Sequence, residues 1–385
     1  MATRVGLDGR ALANINKNRG IGRYTASLVE ALADARSGYE LVLFGYGDGP
    51  EPGLIDPLVL GTVEWRQIPS SGDITFYGGP LNHLLFARAV KGSGVALFHG
   101  IDHNMTPLLK CPSILTVHDL IPLVLRGPYL GPKSWLWLCA HRAACKRAGM
   151  VVAVSEATRD DLERVWKIPG EKIAVVHEGV AGSYRPVEDE ALLEDVLGKY
   201  GITRPYFLYL GGFDPRKNIY NMLLGYKRYR STGGETAFIL CGDTAGYEES
   251  LSDTVDELGL GRSVLLPGFI ADEDLPALYS GALALVFVSI YEGFGLPLLE
   301  AMACGAPVLA SNVSSIPWVA GDAALLVDPL DPAAIAGGLE LLASEDTTRS
   351  GLVRKGLARS SLFTWDKAAG RVLELYGRVL GGASG

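Results

Sequence analysis

The sequence predicts an α/β protein of two doubly wound, Rossmann-like domains, and three observations predict it. Twelve short apolar runs end in small or polar residues, helix-like stretches alternate with them, and 385 residues suit two domains at roughly 150 residues each. Strands alternating with helices fold as parallel sheets covered on both faces.

The runs fall into two sets. RVGLDG (4–9), YELVLFG (39–45), VALFHG (95–100), PSILTVHD (112–119), MVVAVSE (150–156) and KIAVVHEG (172–179) form the first. PYFLYLGG (205–212), TAFILCGD (236–243), SVLLPGF (263–269), ALALVFVS (282–289), PVLAS (307–311) and AALLVD (323–328) form the second. Their unalternating hydrophobicity is what strands buried on both faces require. TASLVEALADA (25–35), EATRDDLERVW (156–166) and NMLLGYKRYRS (221–231) read as helices between them. The polar, Pro-bearing stretch from Gly182 to Pro205 separates the sets, giving an N-terminal domain over 1–185 and a C-terminal domain over 186–362. The final FTWDKAAGRVLELYGRVL (363–380) is amphipathic with no strand after it, so 363–385 is expected to cross back to the first domain.

Composition excludes several classes. With 48% hydrophobic and 20% charged residues the chain buries large cores, so extended disorder is excluded. Lys and Arg number 35 against 43 Asp and Glu, a net charge of −8, which disfavours a nucleic-acid partner. Five cysteines without a C-x-x-C pair read as reduced thiols of a cytoplasmic protein. No apolar stretch approaches spanning length, and MATRVGLDGRAL reaches Asp8 before any core of signal-peptide length, so neither export nor membrane spanning is expected.

Ligands of open parallel sheets gather beyond the carboxyl ends of the strands. His118, Gly211, Gly242 and Glu292 sit at such ends, and two edges facing one another predict an interdomain cleft. The most informative segment is SIYEGFGLPLLEAMACGAPVLASN (289–312). Its strand delivers Glu292 into the turn Gly293-Phe294-Gly295, and a helix then begins with Pro297 near its first position. The N-terminus of that helix is a ready anion site. Glu292 and Glu300 flank it; because carboxylates repel phosphate, they are expected to accept hydrogen bonds from sugar or ribose hydroxyls. In LGGFDPRKNI (210–219), glycines including Gly212 end a strand, and Arg216-Lys217 follows a Pro turn as phosphate-gripping cations.

Other features read more ambiguously. In RGIGRYTASLVEAL (19–32), Gly20 and Gly22 precede a helix and let backbone approach a ligand, but Thr25 spoils a dinucleotide fingerprint. His118 ends a strand at the ligand edge. His99 and His103 stand four apart and invite a zinc reading, which Gly100 and the lack of a third ligand oppose; no metal is expected. KSWLWLCAHRAACKRA (133–148) mixes Trp135 and Trp137 with basic residues as an interfacial helix would, or packs on its sheet.

In order, these segments resemble the retaining glycosyltransferases of family 4, which have the GT-B fold. The resemblance rests on RGIGRY, the HD pair, VSEAT, PRKN, LPGF, the spacing Glu292-x7-Glu300 within YEGFGLPLLEAMACG, and the tryptophan-bearing final helix. It implies a hexose transferase whose donor is a nucleoside-diphosphate sugar. Gly22 would bring its amide to the diphosphate across the cleft and His118 would contact the transferred sugar. Arg216 and Lys217 would neutralise the phosphates, while Glu292 with the backbone of Gly293, Phe294 and Gly295 would hold sugar hydroxyls and Leu296 would line the donor site. Glu300 would hold the ribose, Gly212 would lie on the donor, and Phe269 and Ile270 would meet the base. One departure is VVHEGV (175–180): His177-Glu178 stand where the family commonly has an asparagine before the glycine.

The family reading is front-face transfer with retention and without a metal or other cofactor, the departing phosphate helping to take the acceptor proton. Arg216→Ala or Glu292→Ala is expected to abolish transfer with the fold intact. RGIGRY and YEGFGLP are similar to bacterial mannosyl- and rhamnosyltransferases, which favours GDP- or UDP-sugars, GDP-mannose first. The acceptor, a glycan or a lipid-linked hydroxyl that would bring the enzyme to the inner membrane surface, is expected near residues 10–19 and 70–82. The sequence leaves open a non-catalytic nucleotide-sugar binder and a nucleotide-sugar epimerase of the same fold. A nicotinamide dehydrogenase lacks its fingerprint, and the oligomeric state is not legible.

Overall fold

The computed structural model describes residues 2–14, 20–35, 37–69, 80–101, 106–126, 131–242 and 247–382. Residues 15–19 and 70–79 of the expected acceptor loops, His103 and Asp243 lie outside them. The chain divides into two compact units: Met1–Gly179 with Thr364–Gly385, and Val180–Phe363.

The first unit holds β1 (Thr3–Asp8), β2 (Tyr39–Gly45), β3 (Glu64–Gln67), β4 (Leu97–Gly100), β5 (Ser113–Val117), β6 (Met150–Ala153) and β7 (Ile173–Val175). They pair in parallel in the order β3-β2-β1-β4-β5-β6-β7. β4, β5 and β6 are buried almost throughout because helices cover both faces. On one face the helices Pro80–Lys91 and Pro132–Arg147 contribute Phe86, Val90, Leu138 and Cys145 to a core with Phe44, Phe98, Val117 and Val151. Elsewhere in this unit the helix Gly20–Asp34 packs on the final helix Trp365–Gly382. The final helix buries Trp365, Ala368, Ala369, Val372, Leu375 and Tyr376, one stripe at helical spacing. Each large apolar side chain so buried is worth about 1.5–3 kcal/mol.

β3 is the strand that the apolar runs do not announce. It is a partly exposed edge, EWRQ, paired with β2 alone. Edge strands carry charge, and here Arg4 reaches across β2 to Glu64.

The second unit holds β8 (Tyr206–Leu210), β9 (Ala237–Cys241), β10 (Val264–Gly268), β11 (Ala284–Phe287), β12 (Val308–Ser311) and β13 (Leu325–Val327). Its parallel order is β10-β9-β8-β11-β12-β13. Strand order reverses between β1 and β4 in the first sheet and between β8 and β11 in the second, and such switch points are where open sheets bind ligands. All five cysteines are unpaired thiols. Among the described residues no helix is long and apolar enough to cross a membrane.

Candidate active site

The second unit carries a cluster of buried polar groups at its switch point, and the first unit carries one beyond the carboxyl ends of β4, β5 and β7. In the second unit, β8 runs into Gly211 and Gly212, then into the short turn Pro215–Lys217. Asn218 follows in the left-handed region, with φ 61°, where asparagine is among the few side chains tolerated. Its amide donates to the Val288 carbonyl at 3.0 Å and to the Pro329 carbonyl at 2.6 Å. The Ile290 N–H donates to the Arg216 carbonyl at 2.8 Å. These bonds fasten the turn after β8 to the segment leaving β11.

Arg216, Lys217 and Glu292 thereby meet. Arg216 donates to Glu292 Oε2 at 2.7 Å, and Lys217 to Oε1 at 2.7 Å. Asp214 pairs with the far side of Arg216 at 3.2 Å. Burial alone would raise the Glu292 carboxyl, but Arg216 and then Lys217 overcome it and hold it at about 2. Burial pulls Lys217 down from the ordinary lysine value, with Glu292 opposing. The sequence reading gave the cations to phosphates and Glu292 to hydroxyls as separate tasks. The structure makes them one ion cluster, so Glu292→Ala perturbs charge balance in the core as well as chemistry, and Arg216→Ala is the cleaner probe.

The loop beyond Glu292 is pinned by two serines that sequence reasoning missed. Ser315 donates to the carbonyls of Glu292 at 3.0 Å and Phe294 at 2.8 Å, and the Glu292 N–H donates to Ser314 at 3.1 Å. Nothing in SNVSSIP announces this, because the pairing is long-range. Gly295 has φ 114°, open to glycine but strained for other residues, and an added Cβ would lie 2.9 Å from Ile316. The helix Leu296–Ala303 follows. Pro297 has no N–H, and that of Leu298 goes to the Gly295 carbonyl at 3.1 Å. Gly295 and Leu296 are thus the amides this helix start can present to an anion. Glu300 is buried and accepts from the Tyr279 hydroxyl at 3.0 Å. Phe294 is buried against Phe363, Gly293 is half-buried, and the Gly212 carbonyl accepts from Tyr209. Phe269 is 56% exposed while Ile270 is buried, so of the two only the Phe269 ring is open to a base.

In the first unit, His118 directly follows β5 and is buried. Its Nε2 donates to the Ile101 carbonyl at 3.0 Å, and its Nδ1 lies 3.6 Å from Glu178. Tyr24 stands edge-on to the ring at 4.7 Å. The described helix already includes Gly20, earlier than the sequence indicates, so Gly22 lies inside the helix and not before it. His99 bonds Tyr376 through Nδ1 at 2.8 Å and Thr116 through Nε2 at 2.9 Å. Fully buried and bonded through both nitrogens to side chains of its own unit, it is not available as a zinc ligand. Trp137 packs on the core, while Trp135 is 55% and Leu136 71% exposed.

Two concavities lie at the opposite, N-terminal strand edges. One of about 530 Å³ is bounded by Lys110, Cys111 and Arg147, the other of about 780 Å³ by Pro307, Arg349 and Leu357. Neither includes a residue of these clusters.

Comparison with known proteins places the chain in a family. Residues 18–181 match the Glycosyltransferase Family 4 model and residues 197–359 the Glycosyl transferases group 1 model. The chain is 32% identical to the O-antigen chain mannosyltransferase B of Escherichia coli over 374 residues, 93% of this chain and 95% of that one. It is 27% identical over 401 residues to the E. coli serotype-specific mannosyltransferase WbdA, spanning 97% of this chain and 48% of that longer protein. Sucrose-phosphate synthase from Thermosynechococcus elongatus superposes with a TM-score of 0.79 at 23% identity, covering 99% and 100% of the two chains. The chain therefore belongs to the family 4 glycosyltransferases, with the GT-B fold and a similarity to bacterial mannosyltransferases.

Proposed function

We propose that this enzyme moves a hexose from a nucleoside-diphosphate sugar to a hydroxyl of a glycan or lipid-linked acceptor, with retention of anomeric configuration and without a metal or other cofactor. GDP-mannose is the first donor to test, with UDP-sugars second; the mannosyltransferase relatives support that order. The observation that carries the reading is the Arg216–Lys217–Glu292 cluster beside a segment that ends in a helix N-terminus.

In the proposed step the bond from the anomeric carbon to the diphosphate oxygen breaks as the acceptor oxygen bonds the same face of that carbon. The acceptor proton passes to the departing phosphate. Arg216, Lys217 and the amides of Gly295 and Leu296 stabilise charge growing on that phosphate, the job otherwise done by a metal. Fixed donors of this kind are typically worth about 10²–10³ in rate each. Glu292, held ionised, and Gly293 and Phe294 receive sugar hydroxyls. Glu300 receives the ribose, Gly212 and Phe269 lie against the nucleotide, and Gly22 and His118 contribute from the first unit. Oligosaccharide or polysaccharide assembly at the cytoplasmic membrane face is the setting proposed. Exposed Trp135 and Leu136 suit peripheral contact there.

Thermal-shift titration with UDP, GDP, ADP and dTDP, each with and without EDTA, tests the reading first. A ligand at 100-fold over its Kd adds about 2.7 kcal/mol. GDP or UDP should stand out with EDTA making no difference, and GDP-mannose plus acceptor should give an α-linked product that Arg216→Ala does not form. Binding without transfer to any acceptor would favour a nucleotide-sugar binder. A nucleotide shift abolished by EDTA would overturn metal independence.

A further inference from the structure

His118 is held on both sides. Its Nε2 meets the Ile101 carbonyl, a group that only accepts, so that nitrogen carries a proton. Its Nδ1 meets the Glu178 carboxylate at ion-pair distance, with both side chains nearly inaccessible. Both ring nitrogens thus face acceptors, an arrangement satisfied by the imidazolium.

The backbone next to Glu178 is closely packed. An added Cβ on the next residue, Gly179, would collide with the backbone of Thr364 and Trp365. The chain after β7 is therefore pressed against the returning C-terminal segment. Trp365 also stacks edge-on to Tyr24 at 5.2 Å, and Tyr24 edge-on to His118. The same segment thus packs against the chain beside Glu178 and, through Tyr24, beside His118. The His118 carbonyl is tied by the Thr158 hydroxyl at 3.1 Å, which fixes the ring's base.

We propose that Glu178 is a positioning residue of the transfer reaction, seating the His118 ring by its Nδ1 edge; with both nitrogens held by protein acceptors, the ring meets the donor sugar through its C–H edge and its positive charge and not through a free N–H. The inference rests on the reading of His118 as a contact of the transferred sugar. The groups facing His118 agree with it. Burial alone would pull His118 down; Glu178, then the Ile101 carbonyl and Asp119, outweigh burial and leave it raised above 6.5. His99, from β4, is pulled down to about 3 by burial and by His118, so it adds no competing charge. Tyr24, from the Gly20–Asp34 helix, is pushed far up by burial and stays neutral. Loss of the Glu178 charge leaves burial unopposed by its largest counterweight, so proton affinity falls. An adjacent opposite charge is typically worth tenfold or more in that affinity.

The test is selective ¹³C labelling of histidine in the full chain, which gives six ring signals, with His118 assigned by its loss in His118→Gln. Wild type and Glu178→Gln are titrated side by side, together with the pH profile of kcat/KM. The expected result is a His118 midpoint at least tenfold lower in proton affinity in Glu178→Gln. The alkaline limb of kcat/KM should move to lower pH by the same factor, and Glu178→Asp should recover part of both. Circular dichroism confirms that each variant is folded, and Glu178→Asp carries the test if the glutamine variant is not. An unmoved His118 midpoint overturns the pairing. A moved midpoint with an unmoved kinetic limb overturns the role in transfer. A chain that transfers no sugar at all sinks the transferase reading instead, and the titration then decides the pairing alone.

Discussion

Glu292→Gln keeps the shape of the side chain and removes its charge, which isolates what the ion cluster contributes to stability. The carboxyl is held at about 2 against an ordinary 4.5. At 1.36 kcal/mol per tenfold change in proton affinity, that depression is worth about 3 kcal/mol at pH 7. The folded value lies below the unfolded one. The stabilisation is therefore fully present above about pH 4.5 and is lost as pH falls through about 2, with about half remaining at pH 3. Breaking a buried pair by removing one partner typically costs 3–5 kcal/mol, the same scale. The assay is urea unfolding by circular dichroism from pH 7 to pH 3. Two units need not unfold together, so the observable is the transition that the substitution displaces, at constant m. Glu292→Gln should fall short of wild type by about 3 kcal/mol at pH 7, with the gap narrowing to about half at pH 3. A gap that stays flat across this range would refute the reasoning, because the loss would then come from shape or packing and not from the charge.

Two further outcomes are expected. Asp214→Asn removes an anion from the far side of Arg216; the pair is partly exposed, so the gain is about 0.2–1 kcal/mol. Calorimetry should show up to about fivefold tighter nucleoside-diphosphate binding, and weaker binding would show that Asp214 serves to orient the guanidinium. Gly179→Ala drives a methyl into the backbone of Thr364 and Trp365, an overpacking that costs about 1–3 kcal/mol. Thermal unfolding should begin about 2–4 °C lower per kcal/mol, with earlier proteolysis near residue 364, and an unchanged melt would count against tight packing there.

The fold was legible because its strands are buried on both faces: the runs YELVLFG and PYFLYLGG contain β2 and β8 with little excess. β3 escaped because an edge strand needs no apolar run; EWRQ is held by pairing with β2 and by charge. The helix at Gly20 starts before the sequence suggests because glycine discourages a helix start by propensity alone, while the buried face of Tyr24, Leu28 and Leu32 pays for it. Within the site, residue types and their strand-end positions were readable, since they depend on local order. Partners separated by tens of residues were not. Arg216 and Glu292 lie 76 residues apart in the chain, and the β8–β11 pairing that joins them is a product of the whole sheet.

Charge bookkeeping ties the two levels together. Asp214, Arg216, Lys217 and Glu292 form two cations and two anions in one contact network, so the cluster is electrically balanced before a donor arrives. Buried cations without partners would be expensive, and carboxylates that neutralise them also fix where they point. On the proposed reading, a diphosphate entering such a site would meet no large net attraction; it would meet cations already oriented, with the amides of Gly295 and Leu296 at the start of a helix. Binding would then be modest, and the same groups would act more strongly on a phosphate whose charge is growing. That is the condition for lowering a barrier, since only interactions stronger in the transition state than in the ground state accelerate the step.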